Sequence, residues 1–439
     1  MINIRETQCG AMARTVKSHL RRFVPVFAAA LVSASCPVLA QSTPPLASEG
    51  RWQKLHLTAE FWAEGACVAD VNRDGAMDVL CGPFWYAGPN FNVRHLIHPA
   101  PQKFTKKLAN GSETNIAGFK GFLSGENGYS ENFLSYSTDV NGDQWPDYVV
   151  VGFPGKETWW YENPAGRDRL WTRRLVMEHT DNESPQLVEI TGDGKPELIC
   201  MNGGRLGYAA PNLRNLDGPW TFHAVTEDRG WKWNTHGLGY GDVNSDGRID
   251  LITCVNWWEQ PATGKKDAFW KKHDHAFSEA AAQMFAVDVN GDGLSDVIAS
   301  LNAHGYGLAW HEQTRTEGAS TWNRHVIMAR TPAEGETGVV FSQPHAVDLA
   351  DINGDGLLDI VTGKRFWAHG PKGDEEPNAP AVLMWFELRR TGGKATYVAQ
   401  PIDDDSGVGT QVMAVDVNGD RKPDVVVGNK KGLFVFLQK

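Results

Sequence analysis

The chain has 439 residues, 41% hydrophobic and 22% charged, a soluble globular composition long enough for two average domains or one large all-β domain. Forty-six Gly and 17 Trp favour tight turns and stacked aromatic strands over helices. A formal net charge of −11 speaks against nucleic acid or an anionic membrane surface as a partner.

In chain order, the first element is a targeting segment, excluded from the fold. "RTVKSHLRR" (14–22) is a basic region, "FVPVFAAALVSA" (23–34) an apolar one, and "VLA" (38–40) a signal-peptidase site, with cleavage expected after Ala40. The apolar run is too short to span a bilayer, and no later segment reads as a transmembrane helix. Cys36 invites a lipoprotein reading, but Ser33 stands where a lipobox wants Leu; Met12 opens a more ordinary leader than Met1. Removing 1–40 takes five basic side chains (Arg5, Arg14, Lys17, Arg21, Arg22) and one acid (Glu6), leaving 37 basic against 52 acidic groups, or −15. A short linker, 41–51, would follow, and the mature chain is expected to be a secreted or periplasmic monomer.

From 52 onward one pattern recurs: a short apolar run, an acidic loop of the form D-x-N-x-D-G-x-x-D, a β-branched run and an aromatic run. The loops begin at Asp70, Asp139, Glu189, Asp242, Asp288, Asp351 and Asp416, with gaps of 46 to 69 residues. The aromatic runs include "TWWYENP" (158–164), "NWWEQP" (256–261), "LAWHEQ" (308–313) and "LMWFEL" (383–388). A fourth amphipathic run often follows, as in "WTRRLVM" (171–177) and "WNRHVIM" (322–328). Apolar runs this short, bounded by Gly, Pro and Asn, read as strands. Four strands repeated seven times predict an all-β, seven-bladed β-propeller, which hides its sheet edges in a ring. The last repeat ends with its third strand, "GLFVFLQK" (432–439), so "WQKLHL" (52–57) is expected to supply the missing fourth and close the ring.

Oxygen ligands at alternate positions with a Gly for the reversal form a cradle for a hard cation, and flexible oxygens suit calcium better than magnesium. The expected ligands are Asp70, Asn72, Asp74 and Asp78; Asp139, Asn141, Asp143 and Asp147; Glu189, Asp193 and Glu197; Asp242, Asn244, Asp246 and Asp250; Asp288, Asn290, Asp292 and Asp296; Asp351, Asn353, Asp355 and Asp359; and Asp416, Asn418, Asp420 and Asp424. An EF-hand fails, because position 12 holds Ala299 or Val427 where it needs Glu, and strands follow the loop. In the third repeat Thr191 replaces Asn, so that loop is the weakest candidate, while Gln144 and Arg421 stand where Gly belongs.

On these loops the chain resembles the FG-GAP/VCBS repeat family of calcium-binding propellers, an architecture shared with the integrin α-subunit head. The resemblance spans 52–439 and implies up to seven calcium ions along one face, with ligands meeting the opposite, top face. It says little about activity, since fold does not fix function.

Cys67 and Cys81 are equidistant from Asp74, so a hairpin centred there would set them within disulfide reach. Cys200 and Cys254 read as small buried hydrophobes. Repeat phase also sorts the histidines. His56, His223, His273 and His325 follow a Trp in outer strands and read as structural. His236 and His345 each lie six residues before a loop's first acid, where other repeats hold Glu64, Phe133, Glu183, Ala282 and Thr410. That position begins the innermost strand at the top mouth of the axial channel. Asn256, Asn302, Arg365 and Lys430, fourteen after the first acid, should face the same mouth, with His275, His304, Tyr306 and His369 in nearby loops. Such residues either plug the channel with hydrogen bonds or form a polar small-molecule site.

Two functions follow from this reading. One is a binding module for a glycan, sugar or extracellular protein, with Glu64, Glu183, Asn256, Asn302, His304 and Lys430 as contacts. The other is a carbohydrate lyase or dehydratase using His236, His345, Arg365 and Tyr306, with one Zn2+ or other divalent ion at the top face. The stretch 236–261 is similar to the propeller portion of aldos-2-ulose dehydratase-type proteins, and seven-bladed polysaccharide lyases place His and Tyr at the top centre. There a His or Tyr takes a proton beside a carbonyl, and a cation or Arg stabilises the resulting charge.

Overall fold

The computed structural model describes residues 50–262, 269–316 and 319–439. The expected leader, 1–40, and nearly all of the linker lie outside the described residues. Among those residues strands dominate, with a single 3-10 turn at Phe122–Ser124.

The strand pairings resolve into seven antiparallel four-stranded blades and one separate two-stranded hairpin, Lys103–Lys107 with Glu113–Ala117. Blade one is Cys67–Ala69, Asp78–Cys81, Phe84–Tyr86 and Arg94–Leu96; blade six is Pro344–Ala350, Asp359–Lys364, Leu383–Thr391 and Lys394–Asp403. Blades two and three share the long strand Thr172–Val188, which leaves one blade as its outer edge and enters the next as its innermost strand. Blades four and five are joined by parallel pairing of their innermost strands, Leu238–Gly241 and Gln283–Val287. Blade seven takes Met413–Val415, Asp424–Asn429 and Gly432–Gln438 from the end of the chain, and Trp52–Thr58 from its beginning. The closing strand pairs antiparallel with the last one, Trp52 opposite Gln438 and His56 opposite Phe434.

Each aromatic run buries both faces of a blade, because neighbouring blades press on either side. Among the described residues seven apolar clusters lie one per blade junction, with a small eighth of Phe366, Trp367 and Ala381. Trp160 and Leu198 lie between blades two and three, Trp258 and Ile199 between three and four, and Trp385 and Phe434 between six and seven. Val79 of blade one packs with Val426 and Val435 of blade seven, so the ring is continuous. At the axis, glutamine amides satisfy the inner edges: Gln411 bonds both the N–H and C=O of Ser135, and Gln186 donates to Leu238 O.

Outer-strand histidines are cross-strand partners of the aromatic runs. His273 stacks on Trp257 at 3.8 Å, His325 on Trp310 at 4.2 Å, His56 on Phe434 at 4.3 Å and His223 on Tyr208 at 5.0 Å. Their structural role is as expected. The disulfide is not found. Cys67 stands opposite Leu80, one residue short of Cys81, and a slip of one residue turns a side chain to the other face of a sheet. Cys67 therefore enters the core between blades one and two, Cys81 the core between seven and one, and both are free thiols. Cys200 and Cys254 are buried hydrophobes.

Candidate functional site

The acidic loops all connect the first and second strands of their blades, so they share one end of the ring. The ninth-position acid opens the second strand each time and is fully buried or nearly so. In blade five, Asp296 accepts the Val289 and Gln313 N–H groups, one on each oxygen, tying the loop to the third strand. The first acid, Asp288, accepts the Gly291 and Gly293 N–H groups, and Asn290 donates to Asp292 at 3.1 Å. Burial, and then the neighbouring Asp292, raise Asp296 to about 6 against three opposing backbone hydrogen bonds, from Gln313, Val289 and Asn290; Asp147, Asp250 and Asp359 reach about 7. Negative charge is thus crowded around each loop. At the sixth position Gln144 and Arg421 adopt φ of 70° and 68°, the left-handed conformation that Gly293 takes at 86°.

The opposite end gathers the connections between blades and the turns between second and third strands. Three imidazoles meet there. His236 precedes the innermost strand of blade four, His345 lies near the start of that of blade six, and His304 sits in blade five's turn. His236 Nε2 is 2.9 Å from His304 Nε2 and 3.5 Å from Glu183 Oε2; His345 Nε2 is 3.2 Å from the same oxygen. Donor atoms of Glu183, His236, His304 and His345 all lie within 4.8 Å of one another. Arg365 Nη1 is 3.1 Å from His345 Nε2, and its Nη2 is 3.2 Å from Glu64 Oε2. Lys430 Nζ is 3.9 Å from Glu64 Oε1.

One ring nitrogen cannot accept from Arg365 and donate to Glu183 at once, so these groups compete for protons. Burial pushes Glu183 up, but His345, His236 and Arg365 pull it further down, to about 2. Burial, with Arg365 second, holds His345 well below the usual imidazole range; burial lowers His236 as well. The result is an ionised carboxylate beside two imidazoles, His236 and His345, whose neutral form burial favours, the protonation states that metal ligands require. His236 Nδ1 is 3.1 Å from the Asn234 carbonyl, leaving its Nε2 to face inward, whereas His304 Nδ1 makes no hydrogen bond and lies 3.6 Å from Asp374 Oδ1. Arg365 Nε, Glu64 Oε1 and His345 Nδ1 are buried without a hydrogen-bond partner.

Of the residues predicted at the mouth, Glu64, Glu183, His236, His304, His345, Arg365 and Lys430 converge. Asn256 does not: the turn in blade four is short, so Asn256 opens the third strand and donates to Asp274 at 2.6 Å. Asn302 supports the site indirectly, accepting the His304 N–H at 3.0 Å. Tyr306 packs against Arg330, 4.9 Å from ring centroid to guanidinium, in a rim cavity of about 520 Å3. Burial and Glu376 push its hydroxyl to about 12, which unfits it as a base near neutral pH. His275 lies 3.4 Å from His311, away from the cluster.

Asp374 was not legible in the sequence. It sits in the irregular turn between Asp359–Lys364 and Leu383–Thr391, outside any repeat phase, with φ of 59°. It contacts His369 Nδ1 at 2.8 Å, and His369 stacks on His304 at 4.5 Å. Burial raises its carboxyl, but His304 and His369 outweigh this and hold it well below the usual carboxylate range.

A closed ring of four-stranded blades with acidic first loops is a repeat-built β-propeller. Within it, residues 139–200 and 288–362 match the FG-GAP-like repeat, and 408–432 the FG-GAP repeat. No curated protein matches the chain. Solved structures that resemble it include BBS1N in complex with ARL6DN, at 8% identity over 89% of this chain and 97% of that one, TM-score 0.45. Rhamnogalacturonan lyase YesW resembles it at 12% identity over 88% and 76%, TM-score 0.40. AofleA from Arthrobotrys oligospora does so at 13% over 66% and 77%, TM-score 0.36. Likeness this distant decides nothing about the site.

Proposed function

We propose that this chain is an exported propeller, braced by calcium in its acidic loops, that holds one divalent transition metal at its top centre and uses it to bind a carbohydrate-class ligand. The observation that carries this reading is the convergence of three imidazole Nε2 atoms and one carboxylate oxygen. Three histidines and a carboxylate suit Zn2+ and its neighbours better than calcium or magnesium. Glu183, His236, His304 and His345 would hold the ion, which when bound supplies a Lewis acid for ligand oxygens. Arg365 and Lys430 would orient an oxygen-rich ligand above it. In the loops, acidic side chains crowd beside a ninth-position carboxyl whose pKa is raised, first by burial, and an oxygen-liganded cation would relieve both. Among the described residues no helix is long and apolar enough to cross a membrane.

A second reading, a lyase or dehydratase, is favoured by Arg365 Nε and Glu64 Oε1, two buried polar atoms beside the cluster that make no hydrogen bond although their side chains pair through Arg365 Nη2 and Glu64 Oε2. In it Arg365 would meet negative charge developing on a carbonyl or carboxylate, and His236 or His345, where free of metal, would take the proton.

The test is metal content by elemental analysis of protein purified without chelator, followed by a screen of oxidised sugars and uronate glycans. One equivalent of transition metal, lost in His304→Ala, is expected. No such metal in the wild type, even after zinc reconstitution, would overturn the reading.

A further inference from the structure

Three partly exposed aromatic side chains border the top centre on one side. Tyr129 and Phe153 stand 5.0 Å apart between ring centroids, and Phe153 and Trp233 5.7 Å apart. The row is anchored to the central residues at both ends. Lys430 Nζ lies 4.4 Å from the Tyr129 ring centroid, and the Tyr129 hydroxyl donates to Ala368 O at 2.9 Å. At the other end the Asn182 N–H donates to Trp233 O and the Glu183 N–H to Thr235 O, so Trp233 shares a backbone ladder with a proposed metal ligand and precedes His236 by three residues. In the middle, Phe133 packs on Phe153 at 5.6 Å while the Arg365 guanidinium lies 5.1 Å from the Phe133 ring centroid.

Cavities flank the row. One, of about 720 Å3, is lined by Tyr129, Phe153, Lys156 and Trp159 among others; a second, of about 410 Å3, by Phe153, Lys156, Asp181, Asn202 and Trp233. Phe153 and Lys156 belong to both, so the two form successive compartments along one groove. Trp233 is 48% exposed. Aromatic faces edged with amide, carboxylate and ammonium groups match the apolar ring faces and hydroxyl edges of pyranoses. Acid and base are mixed along the groove, Glu131, Glu157 and Asp181 with Lys156 and Arg173, a difference of one charge. Contact area along the groove, not charge, would therefore set affinity.

We infer that the Tyr129–Phe153–Trp233 row is a subsite series for an oligosaccharide, which lies across the groove with one end at the proposed metal centre. This rests on the carbohydrate reading above and specifies a chain, not a single sugar. Calorimetry with the full-length protein, using neutral β-1,4-glucose and uronate oligomers of one to six units, tests it. Affinity should rise with length in at least one series, and the series that binds fixes the charge of the chain. Trp233→Ala should weaken the longest oligomer about tenfold while leaving the monomer, the metal content and the melting temperature unchanged. Lys156→Ala, at an exposed position, should act in the same direction. Length-independent binding, no binding by either series, or a Trp233→Ala variant that binds the longest oligomer normally would each overturn the inference. Trp233-dependent binding in protein without metal would instead sink the metal reading and leave the groove standing.

Discussion

His236 Nε2 and His304 Nε2 face each other at 2.9 Å across two blades, with Glu183 Oε2 3.5 Å from the first. In a metal-free site only a shared proton relieves that contact, so the pair should depend on what occupies the space between. His236→Asn and His345→Asn are expected to lose bound transition metal and ligand affinity while keeping the calcium-dependent melt. His325→Asn, on an outer strand stacked against Trp310, should keep all three. Elemental analysis beside calorimetry reads the outcome; top-face variants that retain metal and ligand would make these histidines channel packing only.

Calcium in the loops predicts that EGTA lowers the melting temperature, and that calcium restores it better than magnesium. In calcium, Asp292→Ala should cost about 1–3 kcal/mol, because the ion and the Leu294 and Asn290 donors lose their acceptor. In EGTA the difference should shrink. A melt indifferent to chelator, in protein shown to bind no calcium, would refute the bracing role.

The sixth loop position offers a test independent of metal. Gln144 and Arg421 hold left-handed φ values that cost an L-residue about 1–2 kcal/mol, yet each backbone N–H serves the loop by donating to Asp139 or Asp416. Gln144→Gly and Arg421→Gly keep that bond and remove the strain, so each should stabilise by about 0.5–1 kcal/mol. Gly293→Ala, at φ of 86° with open space around its Cβ position, should destabilise through strain alone. Denaturant titration decides; destabilised glycine variants would mean that the Gln144 and Arg421 side chains hold the loops.

The repeat made most of this fold readable. Alternating apolar runs set the strands, and phase relative to the acidic loops placed Glu64, Glu183, His236 and His345 at one level of the innermost strands. Arg365 and Lys430 followed because the second strands of blades six and seven run straight on into the mouth. Phase failed where the turns differ. Asn256 is drawn into strand pairing by a short turn, and Asp374 lies in a long turn that matches no other blade. The cysteine expectation failed for a finer reason, since symmetry about Asp74 ignores which residue of the loop sits at the apex. The aromatic row was invisible because Tyr129, Phe153 and Trp233 come from three unrelated connections and meet only when blades two, three and four pack side by side.

Closure itself can be tested by truncation. Trp52 is buried between blades six and seven, Leu55 and Leu57 pack on the core between seven and one, and His56 stacks on Phe434. Without 52–57, the strand Gly432–Gln438 becomes an exposed edge and both neighbouring junctions lose apolar cover. Loss of a buried Trp alone typically costs about 3–5 kcal/mol. A mature chain starting after Leu57 should therefore unfold at far lower denaturant or aggregate through the bared edge, whereas removal of 41–50 should leave the midpoint where it was. The point variant Trp52→Ala, which keeps the strand's backbone pairing, should fall between the two. Equal midpoints for both truncations would show that the ring closes without its first strand.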